Sequence, residues 1–343
     1  MAAVTPAMIK ELRERTSAGM SDCKNALVEA EGDMEKAVEV ILKKGIVKAA
    51  SRAGKVAAEG EVATHTSADG KKAVIVEVNC QTDFVARGDD FHGFVKNVLE
   101  VASKLPKGKD LAGETYPGSD KTVDVIRQEM VGRIGENIVV RRWDVLEAPV
   151  NGVLNTYVHV GGRVGVLLAV QAPSAEATKN ADFTAFLENV SMQIAAMSPV
   201  VVDKSEIDAT MLAKQKEIFQ AQMQKDLDEA TARLAELEKA TDLSPQELAA
   251  EKKAAEQKKG PPAARWPQVI EGKVNKWFTE VTLLGQDNVW DPPAGSIDKV
   301  RSELGKKLGG DVKITGFVRF GLGDGIEKKS ENLADEVAKT IGA

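Results

Sequence analysis

Two cysteines and three histidines are all that the 343-residue sequence holds of the side chains that build disulfide frameworks and metal sites. Cys23 and Cys80 lie far apart and match no Cys-x-x-Cys spacing, which argues against a disulfide scaffold or a zinc site. Each reads instead as a small buried hydrophobe. His65, His92 and His159 are scattered along the chain, so neither a metal nor a cofactor is expected. Basic surplus is also missing. A net charge of −6, with both signs interspersed, leaves no cationic stripe to neutralise phosphates, and direct nucleic-acid binding is not expected. There is no apolar run of about 18 residues and no charged-then-apolar stretch at the start, so the expectation is a cytoplasmic protein that does not enter a membrane.

What remains is the composition of an ordinary folded chain, 43% hydrophobic and 29% charged, long enough for two or three domains. Residues 1 to 54 read as a small helical domain. Thr5 with Pro6 forms an N-cap and first-turn pair, Ser21 is placed to cap a helix ending at Gly32, and Asp33 to cap one ending at Gly45. In that third helix Met34, Ala37, Val38, Ile41 and Leu42 share a face. The Ala- and Lys-rich stretch "GIVKAASRAGKVAAEG" reads as a helical or flexible linker.

From Gly60 the chain repeats itself. "GEVATHTSADGKKAVIVEV" aligns with "GVLNTYVHVGGRVGVLLAV", and "DFHGFVKNV" with "DFTAFLENV", at a constant spacing of 92 residues (152 − 60 = 182 − 90 = 92). Each copy reads as two strands joined at a glycine turn, then an amphipathic helix, and each is expected to close with a later helix and strand, "NIVVRRWDVLE" and "DVKITGFVRF". The fold class is therefore α+β: two subdomains, each a three-stranded antiparallel sheet with helices on one face. The expected domains are 55–148 for the first core subdomain, 149–204 with 261–322 for the second, and 323–343 for a C-terminal helical module. Residues 205–260 form an insertion. There Leu227, Ala230, Leu234 and Leu237 step by three and four, and "SPQE" is a capping box with proline at the first helical position, which together describe a helical hairpin. It reads either as a solvated arm or as a dimerisation or docking element.

Comparing the two copies singles out Phe84. The first copy joins strand to helix by "QTDFVARGD", the second by "PSAEATKNA", so Asp83 and Phe84 stand opposite Ala175 and Glu176. A fold that accepts a small residue and a charge at this junction does not require an aromatic there. Phe91, Phe94, Val95, Val98, Leu99, Ala102 and Leu105 already fill the apolar stripe of the following helix. Thr82 can cap a short turn carrying Asp83 to Arg87, presenting Phe84 on a projecting corner.

At these residues the chain resembles a known family. "TDFVAR", "LRERTSAGMSDCKNAL", "QIAAMSP", "GGRVGVL", "EVTLLGQ" and "GFVRFGLGDGIEKK" together, in this order, resemble elongation factor Ts over nearly the whole chain except the hairpin. The resemblance implies an N-terminal three-helix ubiquitin-associated-like domain, a duplicated core, an inserted coiled-coil hairpin and a C-terminal helical module. It implies a guanine nucleotide exchange factor that binds elongation factor Tu and promotes release of its GDP, acting by differential binding and not as an enzyme. It assigns Phe84 as a wedge near the Mg²⁺ site of the GTPase and Asp83 as a polar contact there, with Thr82 and Val85 beside them. His159 is assigned to a second GTPase element, and Lys10, Arg13 and Met20 to a grip on a GTPase helix. A homodimer or 2:2 complex through the core or the hairpin is left open. Three departures stand out: Ser21 where a second methionine is frequent, Asp287 and Asn288 where an apolar residue is common, and a longer hairpin without the usual Gly-Lys-Pro turn.

The rival readings are an enzyme and a non-catalytic adaptor or scaffold. For the first, Cys80 and His159 would supply a nucleophile and a base, yet no Gly-x-Ser-x-Gly, His-Glu-x-x-His or Walker sequence is present, and "FGLGDGIEKKS" fails the phosphate-loop spacing. The second rests on the N-terminal helices and the hairpin.

Overall fold

The structure, a computed structural model, describes residues 4–16, 18–241 and 243–327; residues 328–343 of the expected C-terminal module lie outside the described residues. The chain divides into two compact units, residues 4–196 with 305–327 in one and 197–304 in the other.

In the first unit, helices α1 (Pro6–Thr16), α2 (Met20–Glu29) and α3 (Met34–Arg52) close around Leu12, Ala18, Cys23, Ala26, Leu27, Ala30 and Ala37, with Met34, Val38 and Ile41 packed against them. Thr5 Oγ1 accepts from the Met8 amide and Asp33 Oδ1 from the Lys36 amide, as their cap positions require. Two local expectations fail. Helix α2 begins at Met20 behind Gly19, which puts Ser21 inside the helix, so it does not cap. Helix α3 runs through Gly45 to Arg52 and does not stop at the glycine. The cause is tertiary. Gly45 lies where α3 crosses α6 (Val123–Ile134), and a Cβ on the facing Gly132 would sit 2.6 Å from the Gly45 Cα. Two absent side chains let the helix backbones touch.

The core follows as β1 (Glu59–Thr66), β2 (Lys72–Cys80), a one-turn helix α4 (Asp83–Ala86), α5 (Asp89–Ser103), α6 and β3 (Ile138–Glu147), then β4 (Gly152–Val158), β5 (Val164–Gln171) and α7 (Ala181–Met197). The hairpin helices α8 (Ala209–Leu237) and α9 (Pro245–Lys259) come next, then α10 (Trp266–Val281), α11 (Ile297–Leu308) and β6 (Lys313–Gly321). The strands form two antiparallel sheets, β1-β2-β3 and β4-β5-β6. The duplication is visible down to its irregularities. Pairing of β2 with β3 slips between Glu77 and Val78, and pairing of β5 with β6 slips between Ala169 and Val170, 92 residues later (169 − 77 = 92). The closing elements repeat as well, but at 174 residues, α6 against α11 and β3 against β6 (297 − 123 = 308 − 134 = 174).

Both central strands are buried on both faces, which explains apolar runs in which hydrophobic and polar residues barely alternate. Val74, Val76, Val78 and Cys80 face α5 and its stripe of Phe91, Phe94, Val95 and Val98. Ala73 and Ile75 on the other face meet Leu167, Ala169, Leu154 and Phe320 of the second sheet, so the two sheets share a core. Gly165 lies at this contact; a Cβ there would come 2.6 Å from Val62 Cγ1.

In the second unit, α8 buries Met223, Ala230 and Leu237 at seven-residue intervals with Leu227 and Leu234 half-buried between them. Helix α9 starts with the expected capping box, Ser244 and Glu247 exchanging side-chain and backbone hydrogen bonds. Arg233 pairs with Glu251 at 3.1 Å and Lys258 with Glu229 at 2.5 Å; both pairs are exposed and screened by solvent, so the apolar seam carries the hairpin and the charges add little.

Candidate functional site

Where β2 ends, the chain must turn towards α5, and Thr82 starts the turn. Its backbone is extended and its Oγ1 accepts from the Val85 amide, so the next four residues form a single helical turn. Ala86 on that turn is buried and Val85 packs half-buried against the first-sheet core, which sends the side chain between Asp83 and Val85 outward. Phe84 is 82% exposed. Burying a phenylalanine contributes about 1.5–3 kcal/mol, and the fold forgoes nearly all of it here.

The turn is held from beneath. Thr82 donates its amide to Glu136 Oε2 at 3.0 Å and its hydroxyl to Glu136 Oε1 at 2.7 Å. The Asn137 amide donates to Gln81 Oε1, and Asn137 Nδ2 to the Lys55 carbonyl, each at 2.8 Å. The Cys80 thiol donates to the Thr82 carbonyl at 3.2 Å; burial, with Glu136 and Glu59 nearby, pushes its pKa up to about 12. A thiol in that state is no nucleophile, and His159 is exposed on another element, so these two residues do not form the arrangement an enzyme of that type needs.

Asp83, half-exposed, pairs with Arg87 one turn on at 2.7 Å. Both line a cleft with Gly161, Gly162 and Arg163 of the β4–β5 turn, where His92 Nδ1 meets Glu61 Oε2 at 2.6 Å. The same β4–β5 turn carries His159. Its backbone bonds to Val164, its Nδ1 lies 2.9 Å from the Tyr157 hydroxyl, and two glycines with positive φ reverse the chain just beyond it. The Gly162 carbonyl accepts from the Val62 amide at 2.8 Å, which ties the turn to β1 of the other sheet. Thr82, Asp83, Phe84, Val85 and His159 are thus carried by elements that meet around one cleft.

The three N-terminal residues are surface residues of the helical domain. Lys10 and Arg13 are exposed on α1, Lys10 lying 3.8 Å from Glu14, and Met20 opens α2 at 50% exposure. They make no hydrogen bond or ion pair with the Phe84 turn among the described residues. Of the departures, Ser21 is exposed on α2, while Asn288 is buried and builds its own loop, donating to the Gly295 carbonyl and accepting from the Asp291 amide. An apolar residue there could do neither.

Two residues of this region escaped the motif reading. Glu136 lies 54 positions from Thr82. Val160, beside His159, is 86% exposed. The repeat holds a signal for both, since Glu136 stands opposite Gly310 at the 174-residue spacing and Val160 opposite Ala68 at the 92-residue spacing. Among the described residues no helix is long and apolar enough to cross a membrane, and no group of three or more His, Cys, Asp or Glu is placed to hold a metal ion.

A duplicated α+β core that displays an aromatic residue on a braced corner is the class of protein defined to this point. Residues 81–324 match the family described as Elongation factor TS. Elongation factor Ts of a Clostridium perfringens strain is 41% identical over 343 residues, covering 99% of each chain. Those of a Nitratiruptor species and of Methylococcus capsulatus are 40% and 39% identical, covering 98% of each chain and 99% of each chain respectively. The chain belongs to the elongation factor Ts family, proteins of translation elongation.

Proposed function

We propose that this protein is the guanine nucleotide exchange factor for elongation factor Tu, acting in the cytoplasm without enzymatic chemistry of its own. A GTPase holds GDP through a phosphate loop and Mg²⁺. A factor that binds the empty GTPase more tightly than the loaded one must, by reciprocity, weaken the nucleotide by the same ratio. Neither a base nor a nucleophile is needed for that. Phe84 enters between elements of the GTPase near the Mg²⁺ site, Asp83 contributes a polar contact beside it, and Thr82 and Val85 support both. His159 meets a second element, and Lys10, Arg13 and Met20 grip a helix.

The observation that carries this reading is the exposure of Phe84 on a corner braced by Glu136. Apolar burial of the ring in the complex amounts to about one to two powers of ten in an equilibrium, so Phe84 supplies part of the coupling and the other contacts the rest. The test is the release rate of fluorescent GDP from elongation factor Tu with the parent chain and with Phe84→Ala. The parent should accelerate release. The variant should lose about ten- to a hundredfold of that acceleration while unfolding at the parental temperature, because a side chain this exposed contributes little to stability. An unchanged release rate with the parent chain would refute the proposal.

A further inference from the structure

We infer that Glu136 is a positioning residue for nucleotide exchange: by accepting both donors of Thr82 it fixes the direction in which Phe84 projects. The inference rests on the exchange reading above and adds a residue to it.

The geometry forms a chain of contacts. Glu136 receives the Thr82 amide on one oxygen and the Thr82 hydroxyl on the other, 3.0 and 2.7 Å away, and the same hydroxyl oxygen caps the Val85 amide. A hydroxyl that donates to a carboxylate while accepting from an amide has its rotamer set from both sides. The first turn of α4 inherits that setting, and Phe84 is its second residue. Glu136 is itself seated. Gly135 ends α6 in the left-handed region at φ 85°, and the next residue, Asn137, is buried with its amide on Gln81 and its side chain on the Lys55 carbonyl. The carboxylate is therefore an abutment fixed at the α6–β3 junction.

The second copy shows what the fold needs without an aromatic residue. Ser174 stands for Thr82 and keeps the equivalent bond, its Oγ accepting from the amide three residues on, that of Ala177, at 3.2 Å. Gly310 stands for Glu136 at the 174-residue spacing and supplies no carboxylate; a Cβ there would meet Pro173 at 2.8 Å. Glu176, in the place of Phe84, precedes a single 3-10 turn, Ala177–Lys179, instead of riding on a helical turn. Both copies keep the hydroxyl-to-amide bond, and the brace occurs in the copy that carries the phenylalanine. Chain reversal alone does not demand Glu136, whereas holding a side chain in position against a partner does.

The test uses the full-length chain and elongation factor Tu loaded with fluorescent GDP, with the factor titrated so that the maximal release rate and the half-saturating concentration are separated. Glu136→Ala should lower the maximal rate about tenfold, because a loosened wedge forfeits much of the one to two powers of ten its burial supplies. A purely structural defect would reduce the folded fraction, shift the half-saturating concentration and leave the maximal rate intact. In the Phe84→Ala background, Glu136→Ala should cost less than about a further twofold, since Glu136 acts through Phe84. Glu136→Gln, which keeps one acceptor oxygen, should fall between parent and alanine variant. Should Glu136→Ala be unfolded at the assay temperature, Thr82→Val removes the hydroxyl bond from the other side and should show the same non-additivity. Parental exchange by Glu136→Ala, or losses that multiply in the double variant, would overturn this role alone. A parent chain that fails to accelerate release would overturn the exchange reading and this role with it.

Discussion

Gly45 and Gly132 face each other where α3 crosses α6, yet alanine at the two positions should have opposite effects. At position 132 the new Cβ would lie 2.6 Å from the Gly45 Cα, 3.5 Å from its carbonyl carbon and 3.6 Å from its oxygen. Carbon atoms prefer separations of about 3.5–4.0 Å, so the helices must part by about 1 Å, and the obstacle is backbone with no rotamer to yield. Overpacking of this kind costs about 1–3 kcal/mol, offset by the roughly 1 kcal/mol that alanine gains over glycine inside a helix. The net expectation for Gly132→Ala is a loss of about 0–2 kcal/mol. At position 45 the nearest atoms are the Gln128 oxygen at 3.8 Å and the Gly132 Cα at 3.9 Å, ordinary contacts, so Gly45→Ala keeps the propensity gain. It should be stabilising by up to about 1 kcal/mol. Hydrogen–deuterium exchange of α1–α3 amides, with urea unfolding alongside, reads the contrast directly, because these helices are seated on the core through this crossing. Equal effects of the two substitutions, or a Gly132→Ala chain better protected than the parent, would refute the reasoning.

Glu77 is fully buried in the shared core of the two sheets, where it accepts from the Gly323 amide at 2.8 Å, from Arg141 at 2.8 Å and from Arg142 at 2.5 Å. Burial works to raise its pKa, but the Gly323 amide and the two guanidinium groups outweigh it and hold the carboxyl below its ordinary 4.5. A depressed carboxylate stabilises fully above its unfolded value and loses that contribution as pH falls through the lower folded one. Glu77→Gln should therefore cost about 3–5 kcal/mol at pH 7 and flatten the fall of stability below about pH 5; a variant with the parental acid profile would contradict the assignment. Both thiols are raised by burial, Cys80 to about 12, so a maleimide at pH 8 should label neither cysteine in the folded chain and both in denaturant. Rapid labelling of native Cys80 would mean that the turn beneath Phe84 opens.

Where the sequence was legible, the reason was periodicity or an internal comparison. The apolar stripe of α5, the 92-residue repeat and the Ser244 capping box are each written in contiguous residues, and each appears as expected. Thr82 was legible as a cap because its cue lies three residues from the amide it binds. Gly45 misled because a glycine after a helical run reads as a terminator unless the helix that crosses it is known, and Gly132 lies 87 positions away (132 − 45 = 87). Ser21 misled because two neighbouring positions could begin the helix and only packing chooses between them. The facing of the two sheets was not legible at all, since apolar residues on both sides of β2 and β5 do not name what covers them.

Phe84 belongs to a further kind. Local pattern could place it beside a helix but not decide whether it faced inward, and the second copy made the difference by showing that the same fold closes with Glu176 there. The same comparison extends to what differs elsewhere between the copies. Glu77 stands opposite Ala169, Phe84 opposite Glu176 and Glu136 opposite Gly310, while the bulges, the lengths of α6 and α11 and the turn glycines Gly70 and Gly162 agree. Two of these three substitutions act on one corner, and the third joins the first sheet to the turn after β6 through Gly323. A buried carboxylate is a poor way to gain stability, because desolvation offsets most of its attraction to the arginines. Its directional bonds can instead fix how the two sheets sit on each other. Gly323 follows Leu322, which lines the cleft together with Asp83 and the β4–β5 turn, so these three differences all lie around one surface.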